Sequence, residues 1–264
     1  MTDRITSGFT LAELAVVLAI VSLLLGGMLM PLGTQQEIRS RQETVRALAM
    51  IHESLIGFAL VKGRLPCPAA PEIATGTGGV CPADGAASVA GCEATTGAGA
   101  GLACRSPEGV LPWASLGLPE ADAWGNRYTY RVSTRFARGI DPGQTDFGDG
   151  CALNPSNHSD HDPKLGDGPR EAAFALCSAG DIAVFDAVGG TTLVADLPAV
   201  VVSHGRSGGG AWTPQGTRIP AQGEEAENAD DDAEFVANPA LDDQLQWIPR
   251  SLLVNRMLLA RRLP

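Results

Sequence analysis

The chain has 264 residues, rich in glycine (32) and proline (18) and poor in aromatics, a composition that favours short strands and long connections over a helical bundle. Its formal net charge is −11 and only Lys62 and Lys164 are lysines, so its surface should repel nucleic acid and anionic lipid rather than track them. Its six cysteines include no CxxC pair, which argues against a zinc ribbon or a thioredoxin-type motif.

The first predicted element is a helix over the apolar run "GFTLAELAVVLAIVSLLLGGMLMP", residues 8–31. As a helix, Phe9 to Met30 would extend ~33 Å, enough for a hydrocarbon core of roughly 30 Å. One carboxylate, Glu13, lies near its start. A charge there costs at least ~2.5 kcal/mol in lipid, so it calls for a function. A secretory signal peptide fits poorly, because the run is long and no A-x-A-like site closes it. A plain single-pass anchor explains the length and leaves Glu13 unexplained.

The residues ahead of the run carry a resemblance. "MTDRITSG" is a short polar leader ending in Gly8, followed by Phe9, Thr10, Leu11, Ala12 and Glu13. This resembles the leader and processing site of type IV pilins and type II secretion pseudopilins. The resemblance implies cleavage between Gly8 and Phe9 by a prepilin peptidase on the cytoplasmic face, with methylation of the new N-terminus. It also implies a role for Glu13: its carboxylate pairs with the N-terminal amine of a neighbouring subunit in the filament core. A buried charge is tolerable when paired and expensive when alone, so the pair sets one stagger for assembly. The partners implied are the peptidase, other pilin-like subunits, and the inner membrane before assembly.

Pro31 and Gly33 should kink or loosen the helix. Beyond Gln35, Val45, Leu48, Ala49, His52, Leu55, Ile56 and Ala59 recur at three- and four-residue steps, which predicts an amphipathic helix to about Val61 packed on a sheet. His52 falls on the apolar face as a core histidine. "GRLPCPAAP" ends the helix. Residues 63–110 show no amphipathic pattern and hold four cysteines, so they are expected as an irregular excursion stapled by disulfides in an oxidising compartment. The expected pairing is Cys67 with Cys104 and, nested inside it, Cys81 with Cys92; Cys151 with Cys177 completes the set. Six cysteines allow fifteen connectivities, so spacing alone does not fix this choice.

Residues 111–264 should form a β-rich head. Trp124, Gly125 and Asn126 predict a turn, and Tyr128 to Val132 alternates like a strand. This Trp-Gly-Asn-x-Tyr sequence is again similar to pseudopilins, where it leads into the first strands of the head. Further strands are expected at Ala173–Cys177, Ile182–Asp186 and Ala199–Ser203, then a strand up to Trp247 and a short helix from Ser251 to Ala260.

Two stretches invite chemistry. "GRSGG", from Gly205 to Gly209, matches a nucleophile elbow around Ser207, but no helix follows and all four histidines (His52, His158, His161 and His204) precede it. The reading is therefore a Gly-rich turn and not an enzyme. The loop around "DPGQTDFGDGCALNPSNHSDHDPKLGDG" concentrates Asp141, Asp146, Asp149, Asp160, Asp162 and Asp167. Its oxygen ligands suit calcium, as in a head-domain loop of some pseudopilins, although the spacing is not that of an EF-hand. Zinc on His158, Asp160 and His161 lacks a third fixed ligand spacing. Otherwise the loop is solvated acidic surface, as is "EEAENADDDAEF"; no other cofactor is expected.

The expected fold is α+β: a leader (1–8), a membrane or filament-core helix (9–31), an amphipathic continuation (32–62), a Cys-rich insertion (63–110) and the head (111–264). The expected function is structural, a minor pilin or pseudopilin in a type IV pilus or type II secretion filament, held in the bacterial inner membrane with its head in the periplasm. The large insertion would hinder packing if every subunit carried it, which points to a low-copy subunit. Two alternatives come from other classes: a pilus-tip adhesin, favoured if Trp113, Trp124, Trp212 or Trp247 is exposed, and a membrane-anchored periplasmic hydrolase using Ser207.

Overall fold

A computed structural model of the chain describes residues 10–82, 89–141 and 171–263, without the side chains of 24–32. The fold is α+β, with an apolar N-terminal helix, antiparallel strands and disulfides. The chain separates into two compact units, residues 1–42 and 43–264. Helix α1 spans Leu11–Lys62 and does not end at Pro31 or Gly33. In the first unit its exposed residues include Leu11, Val16, Leu18, Ile20 and Leu23, and Arg41 pairs with Glu37 one turn away.

The second unit is built around a four-stranded sheet, order β3-β4-β7-β9, antiparallel throughout: β3 (Glu108–Val110), β4 (Thr129–Val132), β7 (Ala199–Ser203) and β9 (Gln244–Ile248). The reason is visible in "AVVVS" of β7, an unbroken apolar run buried at every position. Such a run suits a strand covered on both faces. Ala199 and Val201 join a cluster with Leu48, Ile51, Leu55 and Ala59 of α1, Tyr130 and Val132 of β4, and Leu253 and Met257 of the last helix, α2 (Arg250–Leu259). Val200 and Val202 join a second cluster with Ile182, Val184, Leu197 and Phe235.

That second cluster belongs to a smaller sheet, order β6-β5-β8: β5 (Ile182–Phe185), β6 (Thr192–Leu197) and β8 (Glu234–Val236). Here β5 pairs with β6 antiparallel and with β8 parallel, so the expectation of purely antiparallel pairing fails at one edge. The chain passes from β6 to β7, and so from one sheet to the other, at Pro198. Proline cannot donate to a ladder, which suits a position where one ladder ends and another begins.

Several local expectations are corrected. The buried stripe of α1 is rotated: Thr44, Leu48, Ile51, Leu55, Ile56 and Ala59 are buried, whereas Val45 is exposed at 58% and Ala49 also faces solvent. Thr44 displaces them because its hydroxyl accepts a hydrogen bond from the Ala123 N–H (3.4 Å) and can be buried with a partner. His52 is half-buried beside Glu53 rather than in the core. Residues 173–177 form bends and a turn, not a strand; Ala173 to Ala175 are buried, so apolar content there reports burial without pairing.

The Cys-rich stretch is less irregular than expected. It contains a two-stranded ribbon, β1 (Thr95–Thr96) with β2 (Ala103–Cys104), and its last three residues are edge strand β3. Disulfides join Cys67 to Cys104 and Cys81 to Cys92, closing separations of 37 and 11 residues. Cys177 is disulfide-bonded too, and its expected partner Cys151 lies outside the described residues.

The C-terminal end of α1 is closed by a side chain 202 residues away. The Arg262 guanidinium donates to the carbonyls of Leu60 (2.8 Å) and Val61 (3.2 Å) and pairs with Glu171 (2.9 Å). These are carbonyls that a helix end leaves unpaired. Arg262→Ala should cost about 1 kcal/mol and raise hydrogen exchange over the last turn of α1, with the rest of the helix unchanged.

Candidate functional site

Gly8 and Phe9, the expected processing residues, lie outside the described residues; Glu13 does not. The Thr10 N–H and hydroxyl each donate to Glu13 Oε2 at 3.0 Å, and the Glu13 N–H returns a hydrogen bond to Thr10 Oγ1 at 3.3 Å. This is a capping box, Thr10 standing as N-cap and Glu13 three residues on, with the carboxylate at the positive end of the helix dipole. Glu13 thus has a partner within its own chain. The signal was present in the sequence as Thr-x-x-Glu ahead of an apolar run.

In the head, the Trp124-Gly125-Asn126 turn is present and its anchor is Asp122. Asp122 Oδ1 accepts the N–H groups of Trp124 and Asn126 (3.0 Å each), and Asp122 Oδ2 accepts the Ser203 hydroxyl (2.6 Å) at the end of β7. Gly125 has φ +88°, a conformation that favours glycine. Burial raises the Asp122 carboxyl above its usual range, against the pull of these hydrogen bonds.

The next residue, Arg127, is fully buried. Its guanidinium donates to Glu120 (2.8 Å), to the carbonyls of Pro71 (2.9 Å), Ile73 (2.9 Å) and Pro214 (3.0 Å), and to Thr75 Oγ1 (3.2 Å), and it lies 4.7 Å from the Trp113 ring centroid. One side chain therefore ties segment 71–75 to the β4 region and to the loop at Pro214. Thr75 also donates to Glu120.

Ser207 is hydrogen-bonded to a carboxylate. Its hydroxyl donates to Asp242 Oδ1 (3.0 Å) and its N–H to Asp242 Oδ2 (2.6 Å). Among the described residues no hydrogen bond joins it to a histidine ring. His204 lies beneath the turn: Nε2 is 2.8 Å from Thr129 Oγ1, and Nδ1 is 3.8 Å from Asp243 Oδ1. Burial pushes the imidazole down to about 4, so the ring is neutral at pH 7, and burial pushes the Asp243 carboxyl up to about 7.

A third arrangement was not anticipated. Arg131 Nη1 donates to Glu108 Oε2 (3.3 Å) and to the Asp231 carbonyl (3.0 Å), while Arg218 pairs with the Asp231 carboxylate at 3.4 Å. Burial, the Asp231 hydrogen bond and the Asp231 charge push the Glu108 carboxyl up to about 8, against the opposing pull of Arg131. Asp231 has φ +67°, a left-handed conformation uncommon outside glycine and Asn/Asp. No periodic signal in the sequence places residue 108 beside residue 231.

Of the residues expected to bind calcium, Asp141 is exposed, and Asp146, Asp149, Asp160, Asp162 and Asp167 lie outside the described residues, as do His158 and His161. Among the described residues no three His, Cys, Asp or Glu side chains are grouped to hold a metal. Trp113 is buried, and Trp124, Trp212 and Trp247 are half-buried, so none of the four is fully exposed.

One helix near the N-terminus is long and apolar enough to cross a membrane. By length and composition Gly33–Lys62 meets that criterion, yet 33% of its apolar window is buried, as in the core helix of a globular head. Leu11–Leu23 is shorter but its apolar side chains are exposed all round, Leu11 at 89% and Leu23 at 78%. Apolar residues on every side of a helix need a nonaqueous surrounding, so the second segment has the greater demand for lipid or protein. No protein-family profile, curated protein or solved structure matches this chain.

Proposed function

We propose that the chain is a membrane-anchored structural subunit of the pilin or pseudopilin kind, a minor component of a type IV pilus or type II secretion filament. The observation that carries this reading is one segment: a helix opened by the Thr10–Glu13 capping box, immediately after Gly8-Phe9, exposing apolar side chains on all sides through Leu23. Such a helix resides in the inner membrane and then in the core of a filament, while the disulfide-bonded head folds in the periplasm with the second half of α1 laid on its sheet. The prepilin peptidase removes residues 1–8, and Glu13 then guides packing against neighbouring subunits. The subunit has no enzymatic role in this reading: the Ser207 hydroxyl is committed to Asp242 and the buried His204 ring to Thr129.

Intact mass and N-terminal sequencing after expression with a prepilin peptidase test the proposal. The expected chain begins at Phe9 and is heavier by one methyl group. A chain that keeps Met1 in that host returns the molecule to a plain anchor.

The capping box gives Glu13 a second test. Glutamine also closes a capping box, so Glu13→Gln keeps the helix start and loses the charge, whereas Glu13→Ala loses both. If the charge sets subunit stagger, both variants abolish incorporation into filaments, read by shearing and immunoblot. If Glu13 only caps its helix, the glutamine variant assembles normally.

A further inference from the structure

We infer that the cleft between segment 68–72 and β3 is a binding site for one neutral saccharide ring. The cleft encloses about 240 Å³, below the usual range for drug-sized ligands and suited to a single pyranose. Its lining includes the small residues Ala69, Ala94 and Gly109 together with Trp212, Arg105, Glu72, Glu108 and Asp231. The approach of segment 68–72 to β3 is close: a Cβ at Gly109 would meet the Ala69 carbonyl oxygen at 2.5 Å.

The chemistry of the lining selects the ligand class. Of the three lining acids, Glu108 pairs with Arg131 and Asp231 with Arg218, and the third, Glu72, shares the lining with Arg105, so neither an anion nor a cation finds a wall of opposite sign. A polyhydroxylated neutral ring needs donors and acceptors side by side, which arginine and carboxyl groups supply, and it offers C–H faces to an indole. The Trp212 ring is steadied by Arg218, whose guanidinium lies 5.7 Å from its centroid. The cleft is also pre-formed. Arg127 fixes the carbonyl of Pro71 in the lining, the Cys67–Cys104 disulfide closes the segment that bears Glu72 and ends next to Arg105, and the Arg131 guanidinium holds Glu108. A rigid wall lowers the ordering cost of binding a small ligand.

This inference is independent of filament assembly and concerns the head alone. The test uses the full chain in detergent, titrated with free monosaccharides and with their methyl glycosides up to tens of millimolar, read by tryptophan fluorescence and calorimetry. The expected result is saturable quenching that disappears in Trp212→Phe while heat of binding persists. Glu72→Ala and Arg105→Ala, both at exposed positions, should each weaken binding by at least about tenfold with the thermal transition unchanged. Binding of methyl glycosides would mean the sugar ends of surface glycans, and binding of free sugars alone would mean a soluble ligand. Absence of binding across the panel overturns the inference, as does quenching that survives in Trp212→Phe or affinity unaffected by both rim variants. Tighter binding of sulfate or calcium than of any sugar overturns it as well.

Discussion

Arg127→Met should destabilise the head by about 3–5 kcal/mol, the cost typical of removing one partner from a buried ionic cluster. The guanidinium satisfies three carbonyl oxygens, a threonine hydroxyl and the Glu120 carboxylate from a fully buried position. Methionine fills much of the same volume and supplies none of those donors, leaving part-buried acceptors without their partner. In a unit of this size the loss should lower Tm by roughly 10 °C. Arg127→Lys should fall between, because an ammonium keeps the charge but cannot reach acceptors on several sides at once. Segment 71–75 should loosen together with the core, seen as faster hydrogen exchange there. If the methionine variant unfolded at the same denaturant concentration as the wild type, the clamp would be a surface detail and not the tie that holds that segment.

The arginine clamp also marks the boundary of what the sequence tells. The Trp124-Gly125-Asn126 turn is legible, because glycine and asparagine tolerate its backbone, and so is the strand that follows. That Arg127 between them reaches segment 71–75 is not, since the contacts bridge more than 50 residues and leave no period in the chain. The same division runs through the fold. Strands β5, β7 and β9 and helix α2 stand close to where alternation and apolar runs place them. Residues 173–177 are equally apolar and are not a strand, because burial and pairing give the same local composition. The parallel pairing of β5 with β8 is invisible for the same reason as the clamp: it is a choice made by distant segments.

The helix gives a subtler case. Its periodicity fixes that one face is buried, yet Val45 and Ile51 exchange places against expectation, because Thr44 finds a backbone partner and rotates the stripe. Hydropathy ranks a threonine below a valine; a hydrogen bond reverses the order. At the N-terminus the Thr-x-x-Glu spacing specifies a local partner for the carboxylate as well as leaving it open to an intermolecular one. The two roles are compatible, since a carboxylate has room for more than one donor, and the glutamine and alanine variants separate them.

The Glu108–Asp231 pair predicts how stability responds to pH. Glu108 is held at about 8 in the folded head against an ordinary 4.5, so over that window the folded state binds a proton that the unfolded chain has released. Stability from this group is therefore fully present below 4.5 and is lost as pH rises through about 8. Asp243, at about 7, changes in the same direction. His204 opposes both: its imidazole is depressed to about 4, so its contribution is present above 6.5 and is lost as pH falls through about 4. These slopes overlap in the wild type, and the variant that separates them is Glu108→Gln. A glutamine amide can donate toward Asp231 and accept from Arg131 at every pH, as the protonated carboxyl does only below about 8. The stability of Glu108→Gln relative to wild type should therefore rise by on the order of 3 kcal/mol between pH 5 and pH 8, measured by urea unfolding at each pH. A difference that stayed constant across that range would mean that Glu108 is ionised in the folded head and that Arg131, not a proton, neutralises it.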